Sequence, residues 1–104
     1  MRTIILAGRL PSILSNLIQQ LGRDDVNFLG ATNAQELGRH LDNKDVECVI
    51  MGGGLEDSIR AELCLLIWAT RGDLPVHIKD RASGPEGMAG FVAAVLDQSV
   101  KSIL

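Results

Sequence analysis

Apolar residues along the chain gather in four short runs that predict β-strands. The runs cover 3–8, 26–30, 46–54 and 75–79, and each is bounded by glycine or proline. Runs of this length with such boundaries are more typical of strands than of helices. The first three are almost wholly apolar, as in strands covered on both faces. The fourth begins with Pro75 and alternates between apolar and polar residues, which predicts an edge strand.

Segments with apolar residues at helical spacing follow each of these runs and predict four helices. The helices are expected to begin near Pro11, Asn33, Asp57 and Ser83. Proline suits a first helical turn. Asn33 and Ser83 are each followed three residues later by a glutamate, which is the spacing of a capping box.

The regular alternation of strands and helices predicts one α/β domain that spans residues 1–104. Such an order implies a parallel sheet with right-handed crossovers. We expect the strand order 2-1-3-4, with the first and last helices on one face of the sheet. The second and third helices would cover the other face, giving a three-layer sandwich.

The third helix carries apolar residues on two sides. One set is predicted to face the core and consists of Ile59, Leu63, Leu66 and Ile67. The second set consists of Ala61, Cys64, Leu65 and Trp68. A helix that lies on a sheet needs only one apolar side, so the second set should contact either the second helix or another chain. We favour another chain, a homodimer or a different protein, because tryptophan is a frequent interface anchor.

Composition and charge exclude several classes of partner. The net charge is −3 and aromatic residues make up 3% of the chain, which argues against nucleic-acid binding. No apolar stretch approaches the roughly 20 residues of a membrane span. Cys48 and Cys64 are not separated by the two residues of a CxxC motif, and His40 and His77 have no second ligand at the spacing of a metal site. We therefore expect a cytoplasmic protein with no metal and no cofactor.

The order of the elements resembles the receiver domains of bacterial response regulators, shortened by one βα unit. "DVECVIMGGGL" matches their third strand, "LPVHIKD" a later strand, and "GPEGMAGFVAAVL" the final helix. The resemblance implies a flavodoxin-like fold and a role in signal transduction. A receiver carries acidic residues after strand one and a phosphoacceptor aspartate at the end of strand three. Gly8-Arg9 and Met51-Gly52-Gly53 stand at these positions, and only Lys79 matches the receiver's lysine.

These departures imply a regulatory interaction module that is not phosphorylated, because aspartyl phosphorylation needs a carboxylate nucleophile and carboxylates that hold Mg²⁺. The chain also resembles the small B domains of sugar phosphotransferase systems, which end in a similar strand, glycine-containing segment and helix. Their phosphorylated cysteine follows strand one, where this chain has Gly8 and Arg9. This second resemblance implies a degenerate phosphocarrier.

Glycines at two strand ends are the best candidates for a ligand site. In open parallel sheets ligands bind beyond the carboxyl ends of the strands, where Gly8 and the run Gly52, Gly53 and Gly54 would meet. The alternative is a tight turn, because Glu56 and Asp57 follow the run and would repel a phosphate.

A group of cations and a hydroxyl follows the first and fourth strands. Arg9, Lys79, Arg81 and Ser83 could hold a small anion. The alternative is that they are solvated loop residues. An enzyme completed by a partner chain is the least favoured function, because no nucleophile–base pair is visible.

Overall fold

The computed structural model of the chain describes residues 2–52, 54–79 and 87–103. Strands and helices alternate along it, as the apolar pattern predicts. The elements are β1 (Arg2–Ala7), α1 (Pro11–Leu21), β2 (Val26–Ala31), α2 (Ala34–Leu41), β3 (Val46–Met51), α3 (Asp57–Thr70), β4 (Val76–Ile78) and α4 (Met88–Ile103). None of the helices in these ranges is long and apolar enough to span a membrane.

The four strands form one parallel sheet with the order β2-β1-β3-β4. In the middle of the sheet, Ile5 of β1 lies between Leu29 of β2 and Val49 of β3. β4 is the short edge strand and pairs through three residues, with Ile78 opposite Met51. The predicted order 2-1-3-4 is confirmed.

Side chains of the central strands point alternately into two apolar cores. Ile4 and Leu6 lie in the core beneath α1 and α4, whereas Ile5 and Ala7 lie in the core beneath α2 and α3. The first and last helices therefore share one face of the sheet, as predicted. The result is a three-layer, flavodoxin-like α/β sandwich.

Local signals at the helix ends explain where α1 and α2 start and stop. Gly22 ends α1 with a left-handed φ of 57°, and its N–H donates to the carbonyl of Ile18. At the start of α2, the Asn33 side chain accepts a hydrogen bond from the Glu36 N–H at 2.9 Å. The Glu36 carboxylate accepts a hydrogen bond from the Thr32 N–H at 2.8 Å, whereas a capping box would use the N–H of Asn33, one residue later. The predicted Ser83 capping box lies outside the described residues.

The core-facing side of α3 differs from the predicted one. Leu63 and Ile67 are buried, and Leu66 packs at the margin of the core, but Ile59 is exposed. Cys64, which the spacing assigns to the second set, is only 8% exposed and belongs to the core. The helix is therefore rotated so that the arc through Leu63, Cys64 and Ile67 faces the sheet.

Candidate functional site

Three predicted site residues form one row along the carboxyl edge of the sheet. Backbone hydrogen bonds extend the ladder past the strand ends, from Gly8 N–H to Ala31 O at 3.0 Å, from Gly52 N–H to Ala7 O at 2.9 Å and from Lys79 N–H to Met51 O at 3.0 Å. The chain then leaves β1 for one face of the sheet and β3 for the other. Such a divergence is where open α/β sheets place their ligands.

Gly8 serves the packing of α1. A Cβ atom at this position would lie 2.8 Å from Cδ2 of Leu14 and 3.3 Å from its Cγ. Real Cβ atoms do not approach carbon so closely, and the Leu14 side chain is itself buried in the core. Close contact between β1 and α1 therefore accounts for this glycine.

Gly52 and Gly54 are different, because neither packing nor backbone conformation requires a glycine there. Among the described glycines, only Gly22 has a positive φ. A Cβ atom on Gly52 would meet its nearest neighbour, the carbonyl oxygen of Ala7, at 3.6 Å, and one on Gly54 would lie 3.8 Å from Cβ of Arg9. Both are ordinary van der Waals distances, so a tight turn does not explain these two glycines. Gly53 lies outside the described residues.

Arg60 joins this edge, although it was not among the residues predicted from the sequence. It lies in the first turn of α3, and its Nη2 donates to the carbonyl oxygen of Gly52 at 3.3 Å. Its Nε is buried and has no hydrogen-bond acceptor. The signal available in the sequence is its spacing, because Arg60 precedes Leu63 and Ile67 by three and seven residues and shares their side of the helix.

The predicted cations lie in different environments. Lys79 is only 2% exposed, so its interpretation as a solvated loop residue is wrong. Arg9 is exposed and lies beside Gly54. Arg81 and Ser83 lie outside the described residues. Two exposed carboxylates, Glu56 and Asp57, stand at the start of α3 on the same edge.

The outer face of α3 exposes large apolar side chains. Leu65 is 64% exposed and Trp68 is 58% exposed. Ala61 is also exposed; it lies between these two residues on the helical wheel, one turn closer to the N-terminus than Leu65. Cys64 does not join this surface, because it packs in the core. We call Ala61, Leu65 and Trp68 the outer face of α3. It points away from the core that Leu63 and Ile67 help to form.

Both cysteines are free, buried thiols. Burial raises the pKa of Cys48 to about 11, and the neighbouring Glu47 carboxylate adds to this increase. Burial also raises the pKa of Cys64. Since the thiolate is the reactive form, these environments suppress nucleophilic chemistry at either sulfur. Within the described ranges, no group of three or more His, Cys, Asp or Glu side chains could hold a metal ion.

Comparison with known proteins gives no assignment. The chain matches no protein-family model, no curated protein and no solved structure.

Proposed function

We propose that this chain is a non-catalytic, receiver-like regulatory module that acts by binding another protein chain through the outer face of α3. The observation that carries the proposal is the exposure of Leu65 and Trp68 on the side of α3 that faces away from the core. A large apolar side chain that passes from water into an interface contributes roughly 1.5–3 kcal/mol. Two such side chains on one helix face suit a contact surface better than a solvated one.

The ends of β1 and β3 support a receiver-like module that works without a phosphoacceptor. β3 ends at Met51, which is fully buried in the core beneath α2 and α3, and Gly52 follows it. β1 ends at Ala7 and is followed by Gly8, which packs against α1. Neither strand end carries a carboxylate nucleophile. Lys79, which matches the receiver's lysine in the proposed resemblance, is buried at the end of the edge strand.

A second copy of the same chain is the partner that we propose for the outer face. A two-fold axis lets one apolar patch cover its own copy, so that both are buried at once. The edge strand carries a further exposed apolar side chain, Ile78, which is 44% exposed. Ile78 is paired with Met51 and points to the same face of the sheet, the face covered by α2 and α3. Ile78 thus adds an exposed apolar side chain at this edge of the sheet.

Sedimentation equilibrium over a wide range of protein concentrations tests the proposal. We expect a monomer–dimer equilibrium at concentrations where the fold is intact by circular dichroism. A chain that stays monomeric at the highest soluble concentration would overturn self-association through α3.

A further inference from the structure

We propose that Arg60, with the backbone at Gly52 and Gly54 and with Arg9 at the rim, forms a binding site for the oxyanion group of a small molecule, a carboxylate or a phosphate. The site lies on the carboxyl edge of the sheet and is separate from the outer face of α3. It provides a function that does not depend on the proposed protein contact.

The charge of Arg60 has no counter-ion in the described part of the chain. Arg60 takes part in neither the Arg2–Glu47 nor the Arg23–Asp25 ion pair. The residue is partly buried, and its guanidinium donates a long hydrogen bond, 3.3 Å, to the neutral carbonyl of Gly52. Cations removed from water are normally paired with anions. An anion would provide the guanidinium with a charged partner at this position.

The unsatisfied Nε identifies the donor edge that such an anion would use. Nε and Nη2 lie on one edge of the guanidinium and match the two oxygens of a carboxylate or a phosphate. In the structure, Nη2 contacts Gly52 O and Nε has no acceptor. Buried donors without partners are rare in native proteins and each calls for an explanation. A bidentate oxyanion satisfies both nitrogens and releases the carbonyl of Gly52.

Gly52 and Gly54 can supply the backbone movement that is needed when an oxyanion replaces the Gly52 carbonyl at Arg60. Nε is buried, so the groups that cover it have to move when an oxyanion reaches it. Gly52 and Gly54 have neither a packing requirement nor a positive φ. Glycine allows the widest backbone movement and the closest approach of a ligand to main-chain N–H groups. The role that packing leaves open for these two residues is therefore contact with a ligand.

The surrounding charges limit how much negative charge the ligand can carry. Arg9 lies beside Gly54 and adds a second cation at the exposed rim. Glu56 and Asp57 are exposed on the same edge and repel additional negative charge. The balance favours one carboxylate or one phosphate group and disfavours a diphosphate or a triphosphate.

Titration with sodium acetate and with inorganic phosphate, followed by ¹H–¹⁵N NMR at constant ionic strength, tests the site. We expect saturable shifts of the Gly52 and Gly54 amides and of the Arg60 Nε signal with at least one of the two anions. The anion that binds more tightly identifies the group as a carboxylate or a phosphate. The absence of saturable shifts with both anions would overturn the proposal.

Matched variants locate the site. Arg60→Gln should weaken binding by about tenfold or more, because it removes the charged fork. Arg39→Gln removes an exposed arginine from α2 and should leave binding unchanged. Equal binding by the parent and Arg60→Gln would contradict the proposal. If Arg60→Gln fails to fold, Gly54→Asp serves instead, because Gly54 is exposed and a carboxylate there should weaken binding by repulsion.

The outcome is independent of self-association. Trp68→Glu should bind the anion as the parent does, whether or not the parent forms a dimer. Loss of anion binding in Trp68→Glu would assign the site to an interface between chains and overturn the single-chain site.

Discussion

The side chain of Leu14 fills the space where Gly8 has no side chain, with its Cδ2 2.8 Å from the position that a Cβ atom would take. This contact joins α1 to the end of β1 and fixes how closely the helix approaches the sheet. The backbone that follows β1 is consequently held against the core.

We expect Gly8→Ala to lower the free energy of unfolding by roughly 1–3 kcal/mol, because overpacking forces Leu14 and α1 to move. Urea denaturation measures the change. Gly52→Ala is the matched control, since its Cβ atom meets nothing closer than 3.6 Å. We expect that control to differ from the parent by less than about 1 kcal/mol. Equal stability of Gly8→Ala and the parent would show that Leu14 and α1 can move without lowering the free energy of unfolding.

Trp68→Glu should weaken the proposed dimer and leave the fold of the monomer intact. Trp68 is 58% exposed, so a charge at this position is solvated in the monomer but buried in an interface. Sedimentation equilibrium gives the dissociation constant of the dimer, and we expect it to rise by about tenfold or more.

Gln35→Glu is the control for this substitution, because it adds the same charge at an exposed position of α2. It should leave the dissociation constant unchanged. A Trp68→Glu variant that unfolds would indicate that Trp68 supports its own domain. An equal loss of affinity in both variants would indicate a general charge effect.

Acetyl phosphate with Mg²⁺ should leave the mass of the protein unchanged. Met51 ends β3 in the core and Gly52 follows it, so the position of a phosphoacceptor carries no carboxylate. Intact-mass spectrometry under conditions that preserve acyl phosphates makes the measurement, with an active receiver domain as positive control. A Mg²⁺-dependent adduct of one phosphoryl group would refute the prediction.

The carboxyl group of Glu36 should titrate below its ordinary pKa of 4.5, because it accepts hydrogen bonds from the Thr32 hydroxyl and N–H. A depressed folded-state pKa stabilises the fold above the unfolded value, and this contribution is lost as the pH falls through the folded value. NMR titration of the side-chain carboxyl gives the pKa directly. Thr32→Val removes the hydroxyl donor and should raise the pKa of Glu36. An unchanged pKa in Thr32→Val would show that the N–H alone lowers it.

Both thiols should react slowly with a thiol-specific reagent at pH 8 in the native protein and rapidly in denaturant. Burial raises the pKa of Cys48 to about 11 and also raises that of Cys64, so the thiolate is scarce at this pH. Absorbance kinetics with and without urea measure the two rates. Fast reaction of one equivalent in native buffer would place a thiol at the surface.

The order of elements could be predicted because strand runs bounded by glycine, a helix that starts at Pro11 and a cap at Asn33 are all local signals. The rotation of α3 could not, because its apolar residues occupy both sides of the helix. Periodicity therefore does not separate Cys64, which is buried, from Ile59, which is exposed. The arginine within the core-facing arc, Arg60, further weakens the pattern.

Strand order alone predicts that Gly8, Gly52 and Lys79 lie along the carboxyl edge of the sheet, since parallel strands end together. Which glycine has which role depends on three-dimensional packing. Leu14 determines the requirement at Gly8, and only the three-dimensional contacts show that Gly52 has no such neighbour. The burial of Lys79 likewise depends on tertiary packing, because a lysine after a strand is usually solvated.

The short strand β4 limits the pairing of further strands at its edge of the sheet. Pro75 O and Lys79 N–H bond to β3, so by alternation the outward backbone groups of the strand belong to Val76 and Ile78. A foreign strand that docks on this edge finds two residues with which to form hydrogen bonds, too few for a stable ladder. Short edge strands are one of the devices by which β-proteins avoid fibrillar aggregation. The apolar surface of the neighbouring helix α3 therefore lies next to a sheet edge that offers few backbone groups for strand addition.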